Sequence, residues 1–423
     1  MQCGTPTAVD VLIVGGGMVG ASLALALSGT SKRVALVEAV VADAAVQPSF
    51  DERTTALGNG SRCILETLGV WRHLSADVNA VREIHVSDAG HMGGARLSAA
   101  EQNLAALGYI VPNRRLGQAL WHELAVRAEL SPSKLLIRNP ARVQSVTLES
   151  DAALVAIARD LDSAGDGAAG EGSAVEDFRA AVVVAADGAL SQVRSTAQIG
   201  VAVEDYQQVA VVAHVATDRP STGIAYERFT LSGPLAVLPL VDGHYTVIWT
   251  LSPERAQQML ALRDSDFMEQ LQRSFGWRIG RLLRVGARVS YPLRLSRADA
   301  LVGRRTVLVG NAAQALHPVA GQGFNLGLRD AALLAELFAA APDTGAPELL
   351  ETYQSRRAAD RGGMISFTDG LVKLFASENP LATVARNLGL QFFDVTPGIK
   401  SALARISWGF GGDTPRLLRG LPI

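Results

Sequence analysis

Cysteine is nearly absent: Cys3 and Cys63 are the only two in 423 residues. Two thiols so widely separated exclude a disulfide framework and fit a reducing compartment. An excess of one charge is lacking too. With 39 basic against 41 acidic residues, nothing in the balance suits nucleic acid. No apolar run reaches the ~20 residues that a bilayer-spanning helix needs. Val11–Val14 leads straight into glycines, as a buried strand does and the apolar core of a signal peptide does not. The seven histidines are scattered and neither cysteine has ligand spacing, so neither a metal cluster nor a Ser/His/Asp triad is expected. No internal repeat is visible. What remains is a chain expected to be soluble and cytoplasmic, and long enough for two domains.

Glycine, by contrast, is plentiful, and two glycine-rich signatures stand near opposite ends. The first is Gly15-Gly16-Gly17-Met18-Val19-Gly20. It lies between a predicted strand, Val9–Val14, and a predicted helix, Gly20–Leu27, and a second strand, Val34–Val37, follows. In that context Gly15 permits the tight turn, Gly17 lets backbone approach a pyrophosphate, and Gly20 allows close packing of helix on strand. The helix N-terminus, at Met18 and Val19, offers free N–H groups to the phosphates. Glu38, at the end of the next strand, is positioned to accept from ribose hydroxyls. Arg53 is a candidate phosphate or flavin contact, because a guanidinium matches phosphate oxygens. Asp187 of Asp187-Gly188 sits at the end of the predicted strand Val182–Ala185, where ligands collect in open α/β sheets.

The second signature follows the predicted strand Val307–Val309 and reads Gly310-Asn311-Ala312-Ala313, then His317-Pro318 and Gly321-Gln322-Gly323-Phe324-Asn325. Asn311 can hydrogen-bond a polyol chain. Pro318, Gly321 and Gly323 constrain a loop that can lay backbone, with Phe324, against a flat ring. Asn325 is expected to start a helix whose N–H groups favour negative charge on such a ring. His317, beside this loop, is a weak candidate for contact with substrate or flavin. Two such signatures at opposite ends imply that distant segments close on one long cofactor, which points to FAD.

Between them, Ile84–Val86, Val209–Val215, Gly233–Leu240 and Tyr245–Thr250 are β-like runs without intervening helices, as in an antiparallel sheet. Asn113–Ala128 reads as a helix, Arg142–Leu148 with Leu154–Arg159 as a hairpin, and the Gly-, Ala- and acid-rich Asp162–Asp177 as a surface loop. Leu326–Ala340 reads as helical, and so does the chain from Glu351 onward, with breaks at Pro380 and Pro397. Three regions are expected: a discontinuous cofactor domain (1–80, 100–200 and 286–345), a substrate domain (81–99 and 201–285), and a helical C-terminal region (346–423).

Together the GGGMVG turn, Asp51–Leu57, Val184–Gly188 and Gly310–Asp330 resemble the class A flavoprotein aromatic hydroxylases, the p-hydroxybenzoate hydroxylase-like group. Further runs are similar to the bacterial ubiquinone-biosynthesis branch, whose substrate is a 2-polyprenyl-6-methoxyphenol. They are His85–Asp88 with Gly90-His91, Glu227–Thr230, Phe275–Arg278, Asn311–Gln314, Thr368-Asp369, Leu371-Val372 and Leu374–Ala376. One departure stands out. The wider group has Gly-Asp-Ala-Ala-His where this chain has Gly310-Asn311-Ala312-Ala313-Gln314, keeping a hydrogen-bonding oxygen but losing the charge.

The resemblance implies an α/β fold, with a Rossmann-like (GR2-type) FAD-binding domain, an inserted, mostly antiparallel substrate sheet and a helical C-terminus. It implies NAD(P)H as reductant without a second nucleotide fingerprint, and O2 converted to a flavin C4a-hydroperoxide that hydroxylates a phenol ring. Alternatives stay open: another ring position, a small soluble phenol, or a non-catalytic FAD-containing assembly subunit. The residues that orient the ring are not identified; Tyr226, Arg228 and Tyr245 fit packing as well as substrate contact. A polyprenyl substrate also raises peripheral contact with the inner membrane, contact with other ubiquinone-biosynthesis proteins, and a homo-oligomer. Leu381–Ile423, with Phe392, Phe393, Trp408 and Phe410, suits a membrane-facing surface, a partner interface or an ordinary C-terminal packing helix.

Overall fold

The computed structural model describes the chain apart from residues 1–4, 42–52, 91–93, 160–173, 377–391, 393, 395, 397, 399, 402–404, 406–407 and 411–413. In chain order, β1 (Thr7–Val14), α1 (Met18–Ser28) and β2 (Val34–Val37) form the opening βαβ unit. Next come β3 (Thr54–Leu57), α2 (Asn59–Thr67), β4 (Asn79–Val81), β5 (Glu83–Asp88), β6 (Gly94–Ser98), β7 (Gly108–Pro112) and α3 (Asn113–Leu130). They are followed by β8 (Leu135–Arg138), β9 (Ala141–Leu148), β10 (Ala153–Arg159), β11 (Ala174–Ala185) and the short α4 (Gln192–Thr196). The central stretch holds β12 (Val201–Thr217), β13 (Ile224–Thr230), β14 (Gly233–Pro239), β15 (Tyr245–Leu251), α5 (Pro253–Ala261), α6 (Asp264–Phe275), β16 (Leu282–Val285) and β17 (Val289–Ala298). Last are β18 (Val302–Gly303), β19 (Thr306–Leu308), β20 (Gln314–Ala315), α7 (Gln322–Ala340) and α8 (Pro347–Ala376).

Three sheets result. The first has the order β18-β19-β11-β1-β2-β8, with β10 and β9 continuing antiparallel from β11. Its centre, β19-β11-β1-β2-β8, is parallel. Covered on both faces, β1 and β2 are nearly unbroken apolar runs with Val11, Leu12, Ile13, Val34, Ala35 and Leu36 fully buried. Helix α1 is buried from Gly20 to Leu27, so it is apolar all round rather than amphipathic. The second sheet runs β20-β17-β12-β15-β14-β13-β5-β6, antiparallel except for the β13–β5 pair. Helices α5 and α6 cover one of its faces, packing Met259, Phe267, Leu271 and Phe275 on Val211, Val237, Val247 and Trp249. A small third sheet, β3-β7-β4, is antiparallel, and its strands interleave in sequence with those of the second.

Three expectations need correction. The strand before Asp187 is far longer than Val182–Ala185, because β11 begins at Ala174 and takes in the end of the supposed loop. Glu176 and Asp177 are strand residues, and Glu176 receives both Nε and Nη2 of Arg138 at 2.7 Å, a bidentate pair that ties β11 to β8. The rest of that loop, residues 162–173, lies outside the described residues. The second sheet extends past residue 285, since β17 and β20 pair into it. Helix α7 starts at Gln322, so Asn325 sits within its first turn rather than at its start. The breaks expected at Pro380 and Pro397 fall outside the described residues, as do Asp51, Glu52 and His91.

Helices α7 and α8 are joined by a buried ionic network. Arg357 donates from Nε to Asp330 at 2.6 Å and from Nη1 to Asp360 at 2.5 Å, and Arg329 donates to Asp360 at 2.9 Å. Burial alone would raise the Asp360 carboxyl, but Arg329 and Arg357 hold it below the usual carboxylate range. Removing one partner of such a network leaves an uncompensated charge inside the protein. Arg357→Met should therefore destabilise the fold by about 3–5 kcal/mol, read as a fall in the urea unfolding midpoint. A midpoint within error of the parent would show that the network carries no stability.

Candidate functional site

Both glycine signatures open onto one cavity of about 1030 Å³. Gly15, Gly17, Met18, Val19, Glu38, Arg53, Asp187, Gly310, Asn311, Pro318, Gly321, Gly323 and Phe324 all line it; Gly20, His317 and Asn325 do not. The N-terminal turn is held by close backbone approach. A Cβ on Gly15 would stand 2.4 Å from the Ala186 carbonyl oxygen, and one on Gly20 would stand 2.0 Å from that of Gly15. Gly17 is the N-cap of α1, with neither a side-chain cap nor an acidic residue in the first turn. The positive end of that helix therefore stays open toward the cavity.

Glu38 sits at the end of β2 and is oriented by backbone: Gly16 N–H donates to Oε2 at 2.6 Å and Val40 N–H to Oε1 at 2.7 Å. Trp121 Nε1 donates to the Gly16 carbonyl at 3.0 Å, so Gly16 is gripped from both sides. Arg53 lies over the Tyr291 ring, its guanidinium carbon 4.5 Å from the centroid. Asp187 caps α4, its Oδ2 accepting from Gln192 N–H at 2.8 Å, while Oδ1 is buried with no donor among the described residues. Asn311 is exposed to the cavity, and Gly310 beside it has φ of 57°.

Three residues do something other than line the cavity. Asn325 accepts from Gly58 N–H at 2.9 Å and Ser61 Oγ at 2.6 Å, and donates to the Ala56 and Gly321 carbonyls at 2.8 Å. Its amide fastens the β3–α2 connection to the start of α7. His317 is 1% exposed, and burial pushes its imidazole down to about 4, so the ring is neutral at physiological pH. Its Nδ1 accepts from Val319 N–H at 3.1 Å, leaving Nε2 buried without a hydrogen-bond partner among the described residues. Gln314 is also buried: it donates to Asp330 at 2.8 Å and accepts from Arg361 Nε at 2.8 Å. A neutral amide, offering both a donor and an acceptor, suits that slot between an acid and a base.

The opposite wall is the free face of the second sheet, where Ile84, Val86, Ala95, Leu97, Ala210, Val212, Ala225, Phe229, Ala236, Leu238, Ile248 and Leu293 line the cavity. Tyr245 lies in the core on the other face, and Arg228 donates to the Ser274 carbonyl at 3.0 Å. Tyr226 packs edge-on against His85 and Phe275. Sequence reasoning missed Glu227, the carboxylate on this wall, and Trp121. The signal for Glu227 was the alternation of β13, which puts it on one face with Ala225 and Phe229. From the tail, Trp408 donates to the Leu107 carbonyl at 2.7 Å and Phe410 packs on the main core, whereas Phe392 is exposed. Phe393 lies outside the described residues.

A family model described as the FAD binding domain matches residues 8–368. The chain belongs to this FAD-binding family. Among its relatives, "Ubiquinone hydroxylase UbiL" of Rhodospirillum rubrum is 36% identical, covering 98% of this chain and 93% of that protein. "3-Demethoxyubiquinol 3-hydroxylase" of Escherichia coli is 33% identical, covering 90% of this chain and 93% of that protein. Of solved structures, p-nitrophenol 4-monooxygenase PnpA from Pseudomonas putida DLL-E4 is similar in fold, with a TM-score of 0.75 at 19% identity, covering 96% of this chain and 99% of the other. The family's cofactor fits what the cavity offers. The unpartnered Asp187 Oδ1 and the open Asn311 amide suit hydroxyl groups, the glycine turn leaves room that a Cβ would fill, and the open N-terminus of α1 suits phosphate. Among the described residues, no cluster of His, Cys, Asp and Glu could hold a metal, and no helix is long and apolar enough to cross a membrane.

Burial pushes the Glu227 carboxyl up from 4.5 to about 7. Between those values the folded protein holds a proton that the unfolded chain releases, so stability falls as pH rises through the window. Glu227→Gln removes that slope. The variant should be more stable than the parent at pH 8, by about 3 kcal/mol, with the difference vanishing near pH 4. Thermal unfolding of the apoprotein across this range checks it; parallel pH curves for both proteins would contradict it.

Proposed function

We propose that this protein is an FAD-dependent monooxygenase that uses NAD(P)H and O2 to hydroxylate the ring of a polyprenylated methoxyphenol in ubiquinone biosynthesis. The observation that carries this reading is the two-faced cavity, with glycine turns and helix N-termini along one side and an apolar sheet along the other. The Rhodospirillum and Escherichia relatives, a ubiquinone hydroxylase and a 3-demethoxyubiquinol 3-hydroxylase by name, support a ring of the ubiquinone pathway as substrate.

Bound FAD, once reduced, supplies the activation of O2; the protein binds, orients and excludes water. In this reading Gly15 and Gly17, with the N–H groups of Met18 and Val19, would receive the pyrophosphate, Gly20 would let the helix pack close behind them, and Glu38 would receive the adenosine ribose. Arg53, Asp187 and Asn311 contact the flavin half, and Pro318, Gly321, Gly323 and Phe324 pack against its ring. Asn325 holds the helix start whose N–H groups favour negative charge on that ring. The apolar wall provides the dry surroundings that an oxygenating site needs, and its Ile, Val and Leu side chains suit a prenylated ring. Such a substrate brings the enzyme to the bilayer surface.

With 18O2, the hydroxylated phenol should carry the label, and NAD(P)H consumption should rise when the phenol is added. Unlabelled product, with NAD(P)H oxidation indifferent to the phenol, would rule the reading out. A second expectation concerns Gly17→Val, whose side chain would occupy the pyrophosphate position and yield a folded apoprotein. Normal FAD content in that variant, measured by flavin absorbance, would move the cofactor site elsewhere.

A further inference from the structure

The apolar wall of the cavity contains one carboxylate. Along β13, Arg228 points away to the Ser274 carbonyl, while Ala225, Glu227 and Phe229 line the cavity; Tyr226 also lines it, with its ring edge-on to Phe275. Glu227 is paired in register with Val86 on β5 and Ala236 on β14, both cavity-lining and apolar. No hydrogen bond or ion pair joins it to any described residue, and no charge bears on it: burial is the sole influence on its carboxyl. Most of the other charged groups along the cavity are engaged elsewhere. Glu38 accepts backbone N–H groups, Asp187 caps α4, Arg53 lies on Tyr291, Arg294 pairs with Asp205, and Lys400 pairs with Asp394; Arg96 is anchored by its backbone N–H to Asp394.

Once a ligand fills the cavity and displaces solvent, a carboxylate set in an apolar wall is unfavourable unless that ligand supplies a donor. The natural partner is a hydroxyl brought in by the ligand. We propose that Glu227 recognises the phenol hydroxyl of the substrate, accepting its hydrogen bond to fix the ring's orientation and taking its proton as the ring is hydroxylated. In this step the phenol O–H bond breaks and the proton bonds to a Glu227 carboxylate oxygen. The bonding pair stays on the phenol oxygen, where it raises electron density at the ortho and para carbons. When the product oxygen is reprotonated, the carboxylate is restored. A base of this kind works best with a proton affinity near the operating pH, and burial places Glu227 at about 7. The inference rests on the phenol-hydroxylase reading above and names the group that reads the substrate.

The test uses FAD-loaded full-length protein, a short-chain 2-alkyl-6-methoxyphenol and its O-methyl ether, with binding measured by calorimetry apart from turnover. The parent should prefer the phenol over the ether by on the order of tenfold or more. Glu227→Leu should erase that preference at unchanged FAD content. Glu227→Gln, which keeps an acceptor but cannot take a proton, should bind the phenol within a few fold of the parent. Its kcat should fall about a hundredfold, without the ascending limb near pH 7. Glu227→Asp keeps a carboxylate and should retain part of both properties. If Glu227→Leu keeps the phenol preference, or Glu227→Gln keeps the rate and pH profile, the proposal is overturned. If the parent binds the phenol through Glu227 but puts no oxygen into it, the recognition stands and the hydroxylase reading fails.

Discussion

Val19 is the point at which the two ends of the chain meet, and the cavity depends on how closely they do so. A Cβ on Gly327 of α7 would stand 2.8 Å from Val19 Cγ2, and one on Gly310 would stand 3.1 Å from the same atom. On the other side of the turn, Gly15 and Gly20 press on each other and on Ala186 at the end of β11. Three strand ends and two helices are thus drawn together at a spot where any side chain larger than hydrogen would hold them apart. The same contact sets the distance between the glycine turn of α1 and the loop that begins α7, and therefore the length of ligand that fits between them.

Around this contact, polar groups hold the second signature without entering the cavity. Arg194 donates to the Ala312 carbonyl at 2.9 Å, and Arg361 donates to the Ala313 carbonyl at 3.2 Å and to Gln314 at 2.8 Å. Gln314 passes the connection on to Asp330, and Asp330 to Arg357. An acid or a base at position 314 would break that alternation of donor and acceptor, so the departure from the wider group's motif is matched by its neighbours. Asn325 does similar work for the Gly321 loop. The residues facing the ligand are mostly backbone, glycine or apolar, and the residues that position them stand one layer behind.

The opening βαβ unit was readable because everything that makes it is local. An apolar strand, a glycine turn and an apolar helix follow one another within Thr7–Val37. The antiparallel character of the central strands was equally plain from their spacing. Other features depended on partners far along the chain. Glu176 and Asp177 read as loop because nothing nearby in sequence announces Arg138. Asn325 read as a helix start because its four hydrogen-bond partners include Ala56, Gly58 and Ser61. The place of β17 in the second sheet, and of Trp121 behind Gly16, likewise follows only once the chain is folded. Local pattern gives the element; long-range pairing decides its limits and its use.

The meeting of Val19 with Gly310 and Gly327 also has a consequence for synthesis. While the chain emerges from the ribosome, α1 and its glycine turn appear first, but the surfaces that complete their surroundings appear only with α7. Strand β11 follows near residue 185 and β19 near residue 308, but α1 lacks the helix that packs on it until α7 is made. Pairings of such sequence separation form late in folding. The nascent chain therefore carries its N-terminal glycine turn without its full surroundings through most of translation, and the cavity is closed only once α7 has been made.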